Sequence, residues 1–188
     1  MAKVILLDSP SWVLFNPKMH LHMGLLYVAA AARAAGHDVQ VVDCHDITSL
    51  DKETQTLIVH KEKLEPCDVL GVSATTANVV WGEQMVKDWP AKLKVLGGPH
   101  VTHIMEGPHQ KFKTKKYFKS WDYLIWGEAE EAFANFCTTF DQGGDLKTLP
   151  GVIWFNELGI QINKQAPFPD VTKLPCPAYD LSKSGFEA

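Results

Sequence analysis

Several features are missing from this 188-residue chain, and each absence closes a class of function. No two of its four cysteines (Cys44, Cys67, Cys137, Cys176) form a Cys-x-x-Cys pair, so neither a zinc knuckle nor an iron–sulfur site is signalled. No apolar run is long enough to span a bilayer, and the chain passes from Met-Ala-Lys straight into an apolar strand with no secretory leader. The expectation is a cytoplasmic protein with reduced thiols and no membrane partner. Positive charge is not in excess: the formal net charge is −4, so a nucleic-acid partner is not expected. The single basic cluster, Lys111, Lys113, Lys115, Lys116 and Lys119, reads as a solvated face. There is no Gly-x-x-x-x-Gly-Lys phosphate loop, no Gly-x-Gly-x-x-Gly fingerprint after the first strand, no internal repeat and no low-complexity segment.

What is present is alternation. Short apolar runs at Lys3–Asp8, Asp38–Asp43, Asp68–Ser73, Lys92–Gly97 and Asp122–Trp126 read as buried parallel strands. Between and after them, helices are expected at Gly24–Ala35, Asp51–Leu64, Asn78–Trp89 and Glu128–Phe140, with a short one possible within His103–Lys119. The first is alanine-rich on nearly every side, as in a helix buried against several neighbours, and Gly36 closes it. Right-handed crossovers leave few topologies. The expected fold is flavodoxin-like, a Rossmann-like five-stranded parallel sheet of order 2-1-3-4-5 with helices on both faces, and a ligand crevice at the carboxyl edge beside the first and third strands. After residue 145 the pattern changes: Gly151–Phe155 and Ile160–Ile162 flank a Gly-containing turn and read as a β-hairpin. Pro167, Pro169, Pro175 and Pro177 then mark an extended linker. The expected division is a domain over 1–145 and a hairpin with linker over 146–188, leading toward a further domain.

The loops at the strand ends carry the chemistry. Ser73-Ala-Thr-Thr-Ala77 offers small side chains and hydroxyls, although Thr76 or Asn78 serves equally well as a helix cap. Gly97-Gly-Pro-His-Val-Thr102 places two glycines at a strand end, where the backbone can approach a ligand. Gly127-Glu-Ala-Glu130 leaves room at the same edge, with its carboxylates suited to the first turn of a helix. His20 and His22 in the first loop form a His-x-His pair with no carboxylate or thiol placed beside it in sequence, so no protein metal site is expected there.

Taken together these residues resemble the cobalamin-binding domain at the amino end of cobalamin-dependent radical S-adenosylmethionine (SAM) enzymes. The matching pieces are Val4-Ile-Leu-Leu with Pro10, Gly24-Leu-Leu-Tyr-Val-Ala, Ala34-Ala-Gly-His-Asp-Val, Val72-Ser-Ala-Thr-Thr, Leu96-Gly-Gly-Pro-His-Val-Thr and Trp126-Gly-Glu-Ala-Glu. The likeness continues through Gly151-Val-Ile-Trp and Leu174-Pro-Cys-Pro-Ala-Tyr-Asp-Leu, so it covers almost the whole chain. In this family the corrin lies over the carboxyl edge and the nucleotide tail, detached from cobalt, runs down beside the first strand. The resemblance implies that Ser73, Thr75 and Thr76 contact the tail or its phosphate, and that Gly97 and Gly98 line its path. It further implies that Pro99, His100, Val101 and Thr102 sit near the corrin edge, and that Gly127 and Glu128 close the opposite side, with Pro10 and Gly24 in the matching first-loop pieces.

Two departures refine this resemblance. The Asp-x-His-x-x-Gly motif whose histidine ligates cobalt in many cobalamin domains would end on Gly24, yet Met19 and Leu21 stand where its Asp and His belong, and His20 and His22 miss by one position. Asp43-Cys-His45 has the spacing but follows the second strand and lacks the glycine. The expectation is base-off cobalamin, as methylcobalamin or hydroxocobalamin, without a protein imidazole on cobalt. The Cys-x-x-x-Cys-x-x-Cys motif of the radical SAM barrel is also absent, so SAM and a 4Fe-4S cluster would enter only through a catalytic domain in cis or trans, in a methyltransferase-type enzyme, and this chain is not catalytic alone. The alternative is a degenerate domain that binds no cobalamin and serves as a docking unit, with Trp12, Phe15, Met19 and Met23 filling the corrin space. A receiver or flavodoxin proper fits less well: Ser73 and Trp126 stand where a receiver needs Asp and Lys, and only Ser9 and Ser11 suggest a phosphate cradle.

Overall fold

A computed structural model describes residues 1–10, 22–51, 53, 54, 56–108 and 113–182. Its framework is one sheet built from β1 (Lys3–Asp8), β2 (Asp38–Val42), β5 (Cys67–Ser73), β6 (Ala91–Gly97), β7 (Tyr123–Ile125), β8 (Val152–Asn156) and β9 (Gly159–Ile162). The strands lie in the order β2-β1-β5-β6-β7-β8-β9. The first five are parallel, which is the 2-1-3-4-5 order expected from the alternation. The hairpin β8–β9 then joins the β7 edge antiparallel, extending the sheet rather than standing apart from it. In the register Asp8 pairs with Ser73 and Ser73 with Gly97, so the carboxyl ends of β1, β5 and β6 finish level.

Side-chain alternation divides the core in two. Val4 and Leu6 of β1 face α1 (Met23–Ala34) and α5 (Glu130–Asp141), while Ile5 and Leu7 face α3 (Val79–Val86) and α4 (Pro99–Glu106). Each of these four strand residues is essentially fully buried, worth about 1.5–3 kcal/mol apiece. The alanines of α1 (Ala29, Ala30, Ala32) bury against the sheet and α5, as an all-round apolar helix must. Glu130 and Glu131 occupy the first turn of α5, at the positive end of its dipole.

One expectation fails. The segment Asp51–Leu64 is not a polar helix: after the single-turn α2 (Cys44–Ile47) come β3 (Thr48–Asp51) and β4 (Thr56–Val59), an antiparallel pair, and a 3-10 turn at Lys61–Lys63. Thr56, Ile58 and Val59 are β-branched, and Leu57 alone of β4 is buried between exposed neighbours, a strand period rather than a helical one. Asp51 accepts hydrogen bonds from the N–H groups of Glu53 (2.9 Å) and Thr54 (3.2 Å), which sets the turn. Among the described residues no helix is long and apolar enough to cross a membrane.

Candidate functional site

The carboxyl edge opens into a cavity of about 480 Å³ on the α1–α5 face of the sheet. Its floor is Leu6, Gly71, Val95 and Ile125 from the strands; Leu25 and Val28 of α1 and Phe133 of α5 form its flanks. Gly71 interrupts β5 because a Cβ there would stand 2.6 Å from Leu6 Cδ2 and 2.9 Å from Phe133 Cζ. The mouth is framed by Ser73, Gly97, Gly98, Pro99 and Thr102 on one side, by Gly24 on another, and by Gly127 and Glu128 opposite. Gln165 and Phe168, from the proline-rich segment, complete the rim.

Backbone ties hold this mouth open in one shape. Gly98 has φ +88°, and a Cβ on it would lie 2.7 Å from Ser73 Oγ and 3.0 Å from the Ala74 nitrogen, so only glycine allows the β6 end to pass the β5 end this closely. Ala74 N–H donates to the Gly97 carbonyl (3.2 Å) and His100 N–H to the Ala74 carbonyl (3.0 Å). Thr102 Oγ1 accepts from Gly127 N–H (3.0 Å), tying α4 to the loop after β7.

The residues expected from sequence therefore separate into three groups. Gly24, Ser73, Gly97, Gly98, Pro99, Thr102, Gly127 and Glu128 share the cavity wall. Thr75 and Thr76 are exposed on the edge outside it. The backbone N–H and hydroxyl of Thr75 both donate to Asn78 Oδ1 (2.7 and 3.0 Å), and the Thr76 hydroxyl lies 3.1 Å from His100 Nδ1. Pro10, His100 and Val101 are buried and line no part of the cavity. His100 is 1% exposed, with Nε2 3.2 Å from the Tyr117 hydroxyl; burial first, then the charge of His103, lowers its proton affinity. The Thr76 hydroxyl links its ring to the exposed edge. Helical spacing carries the signal for this: His100, Val101, Ile104 and Met105 form the buried stripe of α4. Leu6, Val28, Gly71, Phe133, Gln165 and Phe168 were not singled out by sequence, although a lone glycine within an apolar strand marks a close approach.

Polar groups are few but placed at the edge. Glu130 stands on the cavity wall with Oε2 buried and without a hydrogen-bond partner among the described residues. Burial, with added repulsion from Glu128 and Glu131, raises its carboxyl above the usual range. At the end of β1, Asp8 Oδ2 lies 2.6 Å from His22 Nε2. Burial is the main cause of the raised Asp8 carboxyl, with His22 opposing it, and the bond to Asp8 is the main cause of the raised His22 imidazole. Cys67 and Cys137 are buried, and burial pushes their thiols up to about 11 and about 12, which leaves them inert packing groups. Trp12, Phe15, Met19, His20 and Leu21 lie outside the described residues.

The cavity fits one part of a cobalamin. Its volume falls in the range of small-ligand sites, about 300–1,000 Å³, and its apolar walls suit a flat aromatic base. A whole corrin does not fit within such a space and would lie above the edge. The B12 binding domain family matches the chain over residues 17–137. Among solved structures, the radical SAM methyltransferase TsrM from Kitasatospora setae, with cobalamin and a 4Fe-4S cluster bound, aligns at 17% identity and TM-score 0.61, covering 94% of this chain and 31% of that one. The cobalamin-dependent SAM radical enzyme OxsB, with aqua-cobalamin and SAM bound, aligns at 15% identity and TM-score 0.64, covering 96% of this chain and 24% of that one. The chain thus spans less than a third of the length of these two enzymes. No curated protein matches it.

Proposed function

This chain belongs to the B12-binding domain family, and from that premise we propose that it holds base-off cobalamin over the carboxyl edge of its sheet, with no histidine of its own on cobalt. The observation that carries the reading is the apolar cavity of about 480 Å³ opening at that edge, the size of a nucleotide tail rather than of a corrin. When bound, methylcobalamin would supply a methyl group carried on cobalt; the protein's share is binding and orientation.

In this reading the tail descends between α1 and α5. Gly97, Gly98 and Gly127 give it backbone surface without side-chain bulk, Gly24 leaves open space beside it, and Leu25, Val28 and Phe133 exclude water from its base. Ser73 and Thr102 offer hydroxyls at the mouth, while Pro99 and Glu128 border the corrin rim. Thr75 and Thr76 face solvent at the edge, where a phosphate or corrin amide would pass; His100 holds Thr76 from behind, Pro10 is buried just after β1, and Val101 anchors α4 in the core.

The proposal extends to the surroundings. Residues 146–188 would lead into a radical SAM catalytic domain, in cis or in trans, that contributes SAM and the 4Fe-4S cluster to a methyltransferase-type reaction in the cytoplasm. The test is a visible-absorption titration of the purified chain with hydroxocobalamin and methylcobalamin, followed by desalting. Retained cofactor with a base-off spectrum is expected. A histidine-ligated spectrum would overturn the lower-face assignment, and loss of all cofactor would favour the docking-unit alternative.

A further inference from the structure

A second cluster stands at the end of β2, and the cobalamin reading makes no use of it. Among the described residues, one oxygen of Asp43, the sulfur of Cys44 and one ring nitrogen of His45 lie within 4.8 Å of one another. We infer that Asp43, Cys44 and His45 form a binding site for a borderline divalent cation of the zinc class.

Three features of the surroundings support it. The first is local geometry: Asp43 caps α2 by accepting a hydrogen bond from His45 N–H (2.8 Å), and this turn brings three consecutive side chains to one point. Metal–ligand bonds of about 2.0–2.3 Å set tetrahedral ligand separations of roughly 3.3–3.8 Å, so the set closes on an ion with a contraction of about 1.5 Å at most. The second is charge. Asp8, at the end of β1, feels the charges of both Asp43 and His45, and Asp43 also acts on His22. Asp8 is already paired with His22, so a cation here would answer the charge of Asp43 at this half-buried edge. The third is the thiol. Cys44 is 2% exposed and packs with Ile5 and Leu7, which shields its sulfur from solvent beside the Asp43 and His45 donors. A sulfur so placed offers a cation of the zinc class the soft ligand it prefers. On binding, the Cys44 thiol loses its proton to solvent as the metal–sulfur bond forms. A mixed sulfur, nitrogen and oxygen set excludes magnesium and calcium, which take oxygen ligands.

The site is tested on the full chain stripped with chelator and free of any corrinoid, so the result is independent of cobalamin binding. Zn²⁺ is added and the protein desalted; Co²⁺ is then used as a spectroscopic substitute, with Mg²⁺ as a control. Expected are one zinc retained per chain, a thiolate-to-cobalt charge-transfer band, and no effect of Mg²⁺. Asp43→Asn, which keeps an acceptor for the α2 cap, and His45→Ala should each weaken zinc at least tenfold, while Cys176→Ala leaves it unchanged. Zinc lost from the wild type on desalting, a cobalt spectrum without the thiolate band, or equal affinity in Asp43→Asn and His45→Ala would overturn the inference.

Discussion

The two faces of the sheet share the same strands yet are filled differently. Beneath α3 and α4, Met85, Phe118, Trp121 and Leu124 are each within 1% of full burial, and the space is taken by large side chains. Beneath α1 and α5 the helix brings alanines and β5 brings Gly71, and the space toward the carboxyl edge stays open. One face supplies the stability that permits the other to remain incompletely packed, and the space open to a ligand lies on the second.

Substitutions on each face should separate those roles. The largest stability loss is expected from Trp121→Ala, about 3–5 kcal/mol by urea unfolding, with cobalamin affinity of the folded protein unchanged. Gly98→Val should cost about 3 kcal/mol, because φ +88° and the contact with Ser73 Oγ both oppose a branched side chain, and it should also reduce retained cobalamin at least tenfold. Unchanged cobalamin affinity in Gly98→Val would show that the tail takes another path. Val28→Phe fills the open face from a half-buried position; stability should move by no more than about 1 kcal/mol while affinity falls at least tenfold.

The smallest effects are in pH dependence, with opposite signs at two histidines. Burial lowers the folded pKa of His100, so its contribution is present above the ordinary histidine value and is lost as pH falls through the lowered one. The stability gap between wild type and His100→Gln should narrow from pH 7.5 down to 5.5. Asp8 raises His22, so its contribution is complete below the ordinary value and is lost as pH rises through the raised one. The gap to His22→Gln should narrow in the other direction. Denaturant midpoints measured across this range check both slopes.

The sequence made the parallel order legible because each strand is a short apolar run between polar ends, and crossover handedness leaves little choice. Glycine and small hydroxyl residues cluster where the parallel strands finish, which is how Ser73, Gly97 and Gly127 come to share one cavity wall. The β3–β4 pair is hidden in the sequence by its polar composition, which masks the alternation around Leu57. The resemblance puts His100 near the corrin edge; as the second residue of α4 its spacing with Val101, Ile104 and Met105 turns it inward. The apolar walls of the cavity were not legible, because Leu6, Val28 and Phe133 look like any other core residues until α1 and α5 are placed. Nor was the Asp8–His22 pair, whose partners meet only once the start of α1 is placed beside the end of β1.

The central claim is that the cavity between α1 and α5 receives the nucleotide tail. Equilibrium dialysis of the purified chain against cobalamin and against cobinamide, the same corrin without the tail, tests it most directly. Cobalamin bound at least tenfold more tightly is the predicted result; equal affinity for the two corrinoids would contradict it.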